Sequence, residues 1–190
     1  MAYAAKNFEH LIGLTGFSDA LLTNHFTLYE GYVKNTNALV ELLDTKTPGT
    51  PEYSELQRRL GWEWNGMRLH ELYFENLSKE PAALGEGNLK EKIVATYGSL
   101  ENWEKKFMNV GAMRGIGWVI LVHDVVSGEL LNIWVNEHDG GHLAGTTPLL
   151  VMDVFEHAFV LDYGLKRADY MSAFMRSIDW SVVEKRFEHH

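Results

Sequence analysis

The stretch Thr147-Pro-Leu-Leu-Val-Met-Asp-Val-Phe-Glu-His-Ala-Phe159 constrains this chain more than any other. Its apolar run, Leu149 to Met152, reads as a buried strand that delivers Asp153 at its end, and His157 follows four residues later. A carboxylate buried without a partner is strongly unfavourable, so Asp153 requires a cation, a strong donor or a metal. A metal taking one carboxylate and several imidazoles satisfies Asp153 and His157 together. An Asp–His hydrogen-bonded pair capping a helix that begins near Phe155 satisfies them as well. This stretch alone leaves both readings open.

Composition narrows the choice of ligands. The 190 residues include no cysteine, which excludes disulfides, thiolate metal sites and a Cys nucleophile. Any metal must be held by His, Asp or Glu. With 46% hydrophobic and 12% aromatic residues, the chain can bury one good core or two small ones. A formal charge of −9 argues against a nucleic-acid backbone as the main partner. Residues 1–10 lack the apolar core of a signal peptide and no apolar run reaches membrane-spanning length, so the expected location is the cytoplasm. The tail Glu188-His-His190 has the character of a tag remnant, and its two histidines are set aside.

Phe17 to about Leu43 reads as one long helix, with Ser18 as its N-cap and Leu21, Leu22, His25, Leu28, Tyr29 and Tyr32 at spacings of three and four. Lys46-Thr-Pro-Gly-Thr-Pro51 breaks it, and a second long helix runs from Pro51 to about Leu77. Shorter helices are expected over Leu89–Tyr97 and Leu100–Val110. The periodicity then changes to strands at Trp118–Val122 and Leu130–Val135, joined through a turn at Ser127-Gly128, with a third at Pro148–Met152. Helices are expected again over Phe155–Lys166, Asp169–Arg176 and Trp180–Phe187. The expected fold is α+β: an antiparallel long-helix hairpin over residues 1–85, then an α/β domain over residues 86–190 with a small three-stranded antiparallel sheet.

The candidate ligands are then His10, His25, His70, His123, His138, His142 and His157. A lone His on an apolar helical face is more often a hydrogen-bonded core residue than a ligand. His25 shares its face with Tyr29 and Tyr32, and His70 shares its face with Trp62, Gly66 and Phe74. Both faces are too apolar to meet water, so the hairpin turns both histidines inward. With Asp153 and His157 they make a set of three His and one carboxylate that one core must accommodate.

Several segments, in order along the chain, resemble the iron/manganese superoxide dismutase family. The family's D-x-W-E-H-A-Y is matched by Asp153-Val-Phe-Glu-His-Ala-Phe159, and its F-N-G-x-x-x-H resembles Trp64-Asn-Gly-Met-Arg-Leu-His70. Its Y-V-x-N-x-N is matched by Tyr32-Val-Lys-Asn-Thr-Asn37, its G-W by Gly117-Trp118, and its R-P-D-Y and N-W by Arg167-Ala-Asp-Tyr170 and Asp179-Trp180. The similarity runs from about residue 17 to 187. It implies a superoxide dismutase that converts superoxide to O2 and hydrogen peroxide at one iron or manganese ion, iron preferred. The implied ligands are His25, His70, Asp153 and His157, with solvent as the fifth.

The resemblance also implies supporting roles. His138, paired with the gap at Gly66, is the residue expected to hydrogen-bond the solvent ligand, in preference to Tyr32 or His142, and Tyr32 is the active-site tyrosine. Glu156 implies a homodimer in which each Glu reaches the partner's ligand His. The departures are specific. Val33 stands eight residues after His25, where the family has its tyrosine, and Tyr32 stands seven after; Tyr29 and Val160 replace an interface His and Tyr; Phe74 and Phe155 replace tryptophans. Trp118, Trp134, Phe74 and Phe155 are expected to wall the site, and Lys34, Arg68 and Arg167 to draw the small anionic substrate in against the overall negative charge. Two other readings compete: a non-haem iron enzyme of the oxygenase kind, which uses two His and one carboxylate, and a non-catalytic metal-binding protein on the same scaffold.

Overall fold

Ser18 opens the first long helix by accepting the Leu21 amide on its side chain at 3.0 Å, which satisfies a donor the helix itself cannot. In the computed structural model, which describes residues 2–189, this helix, α1, spans Asp19–Thr45 without a break. His190 lies outside the described residues. Gly49, at φ +86°, makes the turn, and Thr50 caps α2 (Pro51–Glu75) by accepting the Tyr53 amide, with Pro51 in the first turn. The helices run antiparallel: Tyr29 meets Glu71, Tyr32 meets Gly66 and Asn35 meets Glu63.

The second half begins with α3 (Asn88–Tyr97), ended by a left-handed Gly98, and α4 (Leu100–Gly111), capped by Ser99. Three antiparallel strands follow, β1 (Gly117–Asp124), β2 (Leu130–Asn136) and β3 (Thr146–Asp153), in the order β2-β1-β3. The central strand is buried from Gly117 to Val122 and forms the floor of the core. Trp118 pairs with Asp153 across the sheet, so their side chains share one face. Leu121 pairs with Leu150 and Val122 with Pro148, which leaves Leu149 as the extra residue of a bulge. That bulge accommodates a proline that has no amide to give to the ladder.

The expected helix over Phe155–Lys166 does not form as one piece. A 3-10 turn covers Glu156–Ala158, and a four-residue helix, α5 (Val160–Tyr163), follows. Phe155 is extended, because its amide turns back to the Asp153 carboxylate at 2.8 Å, and Phe159, at φ −146°, interrupts the helical path. The chain closes with α6 (Arg167–Arg176) and α7 (Trp180–Glu188).

Among the described residues no fourth strand covers the outer edge of β3. Side chains do so instead. Asn76, fully buried, donates to the Val151 carbonyl at 2.7 Å, and the Arg186 guanidinium donates to the Leu149 carbonyl at 2.8 Å. Arg186 also donates to Asn76, the Leu72 carbonyl and Glu75. One cation therefore ties α7, α2 and β3 together. Arg186→Ala leaves these acceptors without their donor and should lower stability by about 3 kcal/mol. Urea unfolding measures it, and a loss under about 1 kcal/mol would show that the clamp is dispensable.

Candidate metal centre

β3 ends by presenting Asp153 to the space between the two long helices. The carboxylate is wholly buried, and its Oδ1 accepts the Phe155 amide, which fixes the direction of Oδ2. Around Oδ2 three imidazoles converge. His157 Nε2 lies at 3.0 Å, His25 Nε2 at 3.2 Å and His70 Nε2 at 3.7 Å. One ligand atom from each of the four residues lies within 4.8 Å of the others. Atoms bonded to one first-row ion at about 2.1 Å, at interbond angles of about 90–120°, sit roughly 3.0–3.6 Å apart. The 3.0 and 3.2 Å separations of His157 and His25 from Oδ2 fall in that range, and the 3.7 Å of His70 lies just beyond it.

The protonation pattern suits a cation. His70 donates from Nδ1 to the Gly66 carbonyl at 2.5 Å, which leaves the Nε2 lone pair directed into the cluster. That Nε2 is buried and has no hydrogen-bond partner. An orphaned acceptor of this kind is unfavourable unless something electropositive occupies the centre. Burial lowers His25, and lowers His70 well below the ordinary histidine value, so both remain neutral. Burial acts to raise Asp153, but the imidazoles of His157 and His25 outweigh it and hold the carboxyl well below its usual range. Neutral imidazoles and an ionised carboxylate are the forms that bind a divalent or trivalent ion.

Tyr32 stands seven residues after His25, 20° short of two full turns at 100° per residue, so it lies below His25 on the same helix face. Its ring stacks on His70 at 5.2 Å. Val33, one residue further round, is packed into the core. The gap at Gly66 is not filled by His138 as the sequence suggested. A Cβ on Gly66 would come within 2.5 Å of the Tyr32 ring, so the gap belongs to Tyr32. His138 sits beyond it, fully buried, with Nε2 at 2.7 Å from the Tyr32 hydroxyl. The Trp118 indole donates to His138 Nδ1 at 3.1 Å. An indole N–H is only a donor, so His138 carries its proton on Nε2 and gives it to the Tyr32 oxygen. His142 is exposed and rests on the His138 carbonyl, outside this chain of contacts.

The aromatic wall is real except at one position. Phe74, Trp118 and Phe155 lie against the cluster histidines. Trp134 does not. It pairs with Val119, the neighbour of Trp118, and successive strand residues face opposite sides of a sheet, so it packs toward Gly115 instead. Tyr170 and Tyr73 were not foreseen. Tyr170 donates to the Asp153 carbonyl at 2.6 Å, and Tyr73 reaches the Tyr170 hydroxyl at 3.2 Å. Their phenols sit in apolar surroundings and have to find partners, but nothing in their local sequence says which.

Two of the three expected anion-guiding cations, Arg68 and Arg167, are occupied elsewhere. Arg68 stacks on Tyr3 and Trp64 and pairs with Glu71, while Arg167 donates to the carbonyls of Gly111, Met113 and Gly115. Tyr29, at the position of the family's interface His, points inward: its hydroxyl donates to Glu71 and accepts the Lys6 amide. His123 packs on Phe187, and His10 is exposed beside Phe8.

Residues 85–186 match the family model of the iron/manganese superoxide dismutases, C-terminal domain. The chain is 37% identical over 174 residues to superoxide dismutase [Mn] 2 of Haloferax volcanii, covering 90% of this chain and 87% of the relative. It is 37% identical over 180 residues to superoxide dismutase [Fe] of Cupriavidus metallidurans, covering 92% and 90%. To superoxide dismutase [Fe] of Aquifex pyrophilus it is 36% identical, covering 92% and 86%.

The buried imidazoles set an acid limit for the metal-free protein. Unfolded histidines take up a proton near pH 6.5. In the folded chain, burial lowers His25 and His70, and lowers His138 to about 4. Below about pH 6.5 the unfolded state therefore binds more protons, and stability falls as pH drops, by up to ~1.4 kcal/mol per pH unit for each histidine. Asp153 adds to this at lower pH, since a depressed carboxyl stabilises above about pH 3.9 and loses that contribution as pH falls through its folded value. Urea unfolding of metal-stripped protein from pH 7 to 4.5 should show the decline; a flat profile would mean that the imidazoles are not held neutral.

Proposed function

The chain belongs to the iron/manganese superoxide dismutase family, and we propose that it disproportionates superoxide at one iron or manganese ion held by His25, His70, Asp153 and His157. The observation that carries this reading is the convergence of three imidazole nitrogens on one buried carboxylate oxygen, with His70 Nε2 left without a protein partner. Bound there, the ion would supply the one-electron redox chemistry that dismutation requires, which redox-inert zinc in the same ligands would not.

The protein's part is to hold the ligands, exclude water and deliver protons. The Gly66 carbonyl keeps His70 in the ligating tautomer, and the Phe155 amide orients Asp153. Phe74, Trp118 and Phe155 close the sides of the centre. Peroxide formation consumes protons, and Tyr32 is the nearby donor. Burial pushes its phenol up to about 12, so it stays protonated. Because His138 Nε2–H is given to the Tyr32 oxygen, the tyrosine's own proton is left free to point at the centre. In this reading Tyr32 is the catalytic donor and His138 positions it. Iron is the preferred ion. A cytoplasmic location and a division into residues 1–85 and 86–190 belong to the same proposal; the boundary falls in the segment 78–87, which has neither helix nor strand.

Ala in place of His25, His70, Asp153 or His157 should abolish metal content, by elemental analysis, and superoxide consumption together. His138→Ala should keep the ion and lose about 10–100-fold in turnover. Reconstitution with each ion separately should give the higher rate with iron. A ligand variant with full occupancy and normal turnover would end the assignment, and activity with manganese alone would reverse the metal preference.

The protein is further proposed to act as an isologous homodimer. His157 is the one proposed ligand whose side chain keeps 27% of its surface accessible, and Glu156 beside it is exposed; in the dimer it would meet His157 of a second copy. Sedimentation at micromolar concentration should give a dimer that Glu156→Ala weakens. A fully active monomer would reject the cross-subunit role.

A further inference from the structure

A hollow of about 320 Å³ lies between α1 and α2, with Tyr32 in its lining. Its wall carries one cation and one anion, Arg59 and Glu63, beside Trp62 and Asn35. Glu63 is buried, with 5% of its side chain accessible, while Arg59 keeps 55%. Two guanidinium nitrogens of Arg59 meet Glu63 Oε1, Nε at 2.8 Å and Nη2 at 2.6 Å, and Asn35 donates to the other carboxylate oxygen at 3.3 Å. The guanidinium also lies 5.2 Å over the Trp62 ring, and that ring stands edge-on to His138 at 5.0 Å. Arg59 is therefore held in one place, its charge toward solvent and the carboxylate behind it.

This arrangement matters because the chain as a whole repels anions, with a formal charge of −9. A fixed charge on the wall of a hollow affects an approaching ion more than the same charge on flat surface. We propose that the Arg59–Glu63 pair sets the charge of the entry through which a small monovalent anion reaches Tyr32, Arg59 drawing it in and Glu63 opposing it. The inference rests on the superoxide reading for the identity of the substrate, but it assigns a role to two residues that this reading does not use.

The charges can be varied one at a time. Arg59→Gln makes the entry more negative by one charge, Glu63→Gln makes it more positive by one, and the double variant restores the balance. Arg58→Gln changes net charge equally from the adjacent position, where Arg58 pairs with Glu55 and does not line the hollow. In the metal-loaded protein at low ionic strength, Arg59→Gln should lower kcat/KM about 3-fold with kcat unchanged, Glu63→Gln should raise it by a similar factor, and the double variant should return near the parent. These differences should fade in ~1 M salt, where the screening length is ~3 Å. Azide affinity, read from an absorbance titration of the loaded protein, should follow the same order, with melting temperatures verifying that each variant folds. A merely structural ion pair would make both single variants worse and leave them insensitive to salt, which overturns the proposal, as does an Arg58→Gln effect equal to that of Arg59→Gln. If the loaded parent consumes no superoxide, the functional reading fails, while the azide series still decides the role of the pair.

Discussion

Everything in this fold that is costly is arranged around one buried oxygen, Oδ2 of Asp153. Among the described residues no lysine or arginine pairs with the carboxylate. Instead it has three imidazoles, drawn from α1, α2 and the 3-10 turn after β3. His25 and His70, the two fully buried imidazoles, resist protonation, so they cannot relieve the cluster by taking up protons near neutral pH. A cation resolves both problems at once. Without one the centre is a polar knot in an apolar core; with one, the same residues become a ligand set whose geometry is held in advance.

Preorganisation comes from the backbone and from a second ring of hydrogen bonds. Asp153 is fixed at both ends, its carboxylate by the Phe155 amide and its carbonyl by Tyr170. The same Phe155 amide prevents a continuous helix from starting there, so the interruption of Phe155–Lys166 and the orientation of the carboxylate have one cause. His70 is held through Gly66, and Gly66 also has to be glycine so that Tyr32 can lie against it. A single residue without a side chain thus serves both His70 and Tyr32.

Polar chemistry at the site is confined to a narrow path. Trp118, His138 and Tyr32 form a directed chain in which each donor's direction follows from the one before it. The rest of the wall is phenylalanine. Where the family has an interface histidine, this chain has Tyr29, and its hydroxyl is drawn inward to Glu71 and Lys6. Tyr29 is thereby part of the internal packing of the helical hairpin.

The long helices, the three strands and the four clustered residues were legible in the sequence because each announces itself locally. Ser18 and Pro51 mark helix starts, three-and-four spacing turns His25 and His70 inward, and an apolar run delivers Asp153 to the interior. The tertiary structure decided what local pattern cannot encode. Which side chain fills the space at Gly66 depended on the distance between α1 and α2, and the answer was Tyr32 in place of His138. Whether Trp134 joined the wall depended on strand register, since one residue of offset moves a side chain to the other face. Arg59 gave no signal as one exposed arginine among others on a helix; only its position over Trp62, in the wall of a hollow it shares with Tyr32, distinguishes it. Periodicity fixes which way a residue points within its own element, whereas what it meets there is set by the packing of segments distant in the chain.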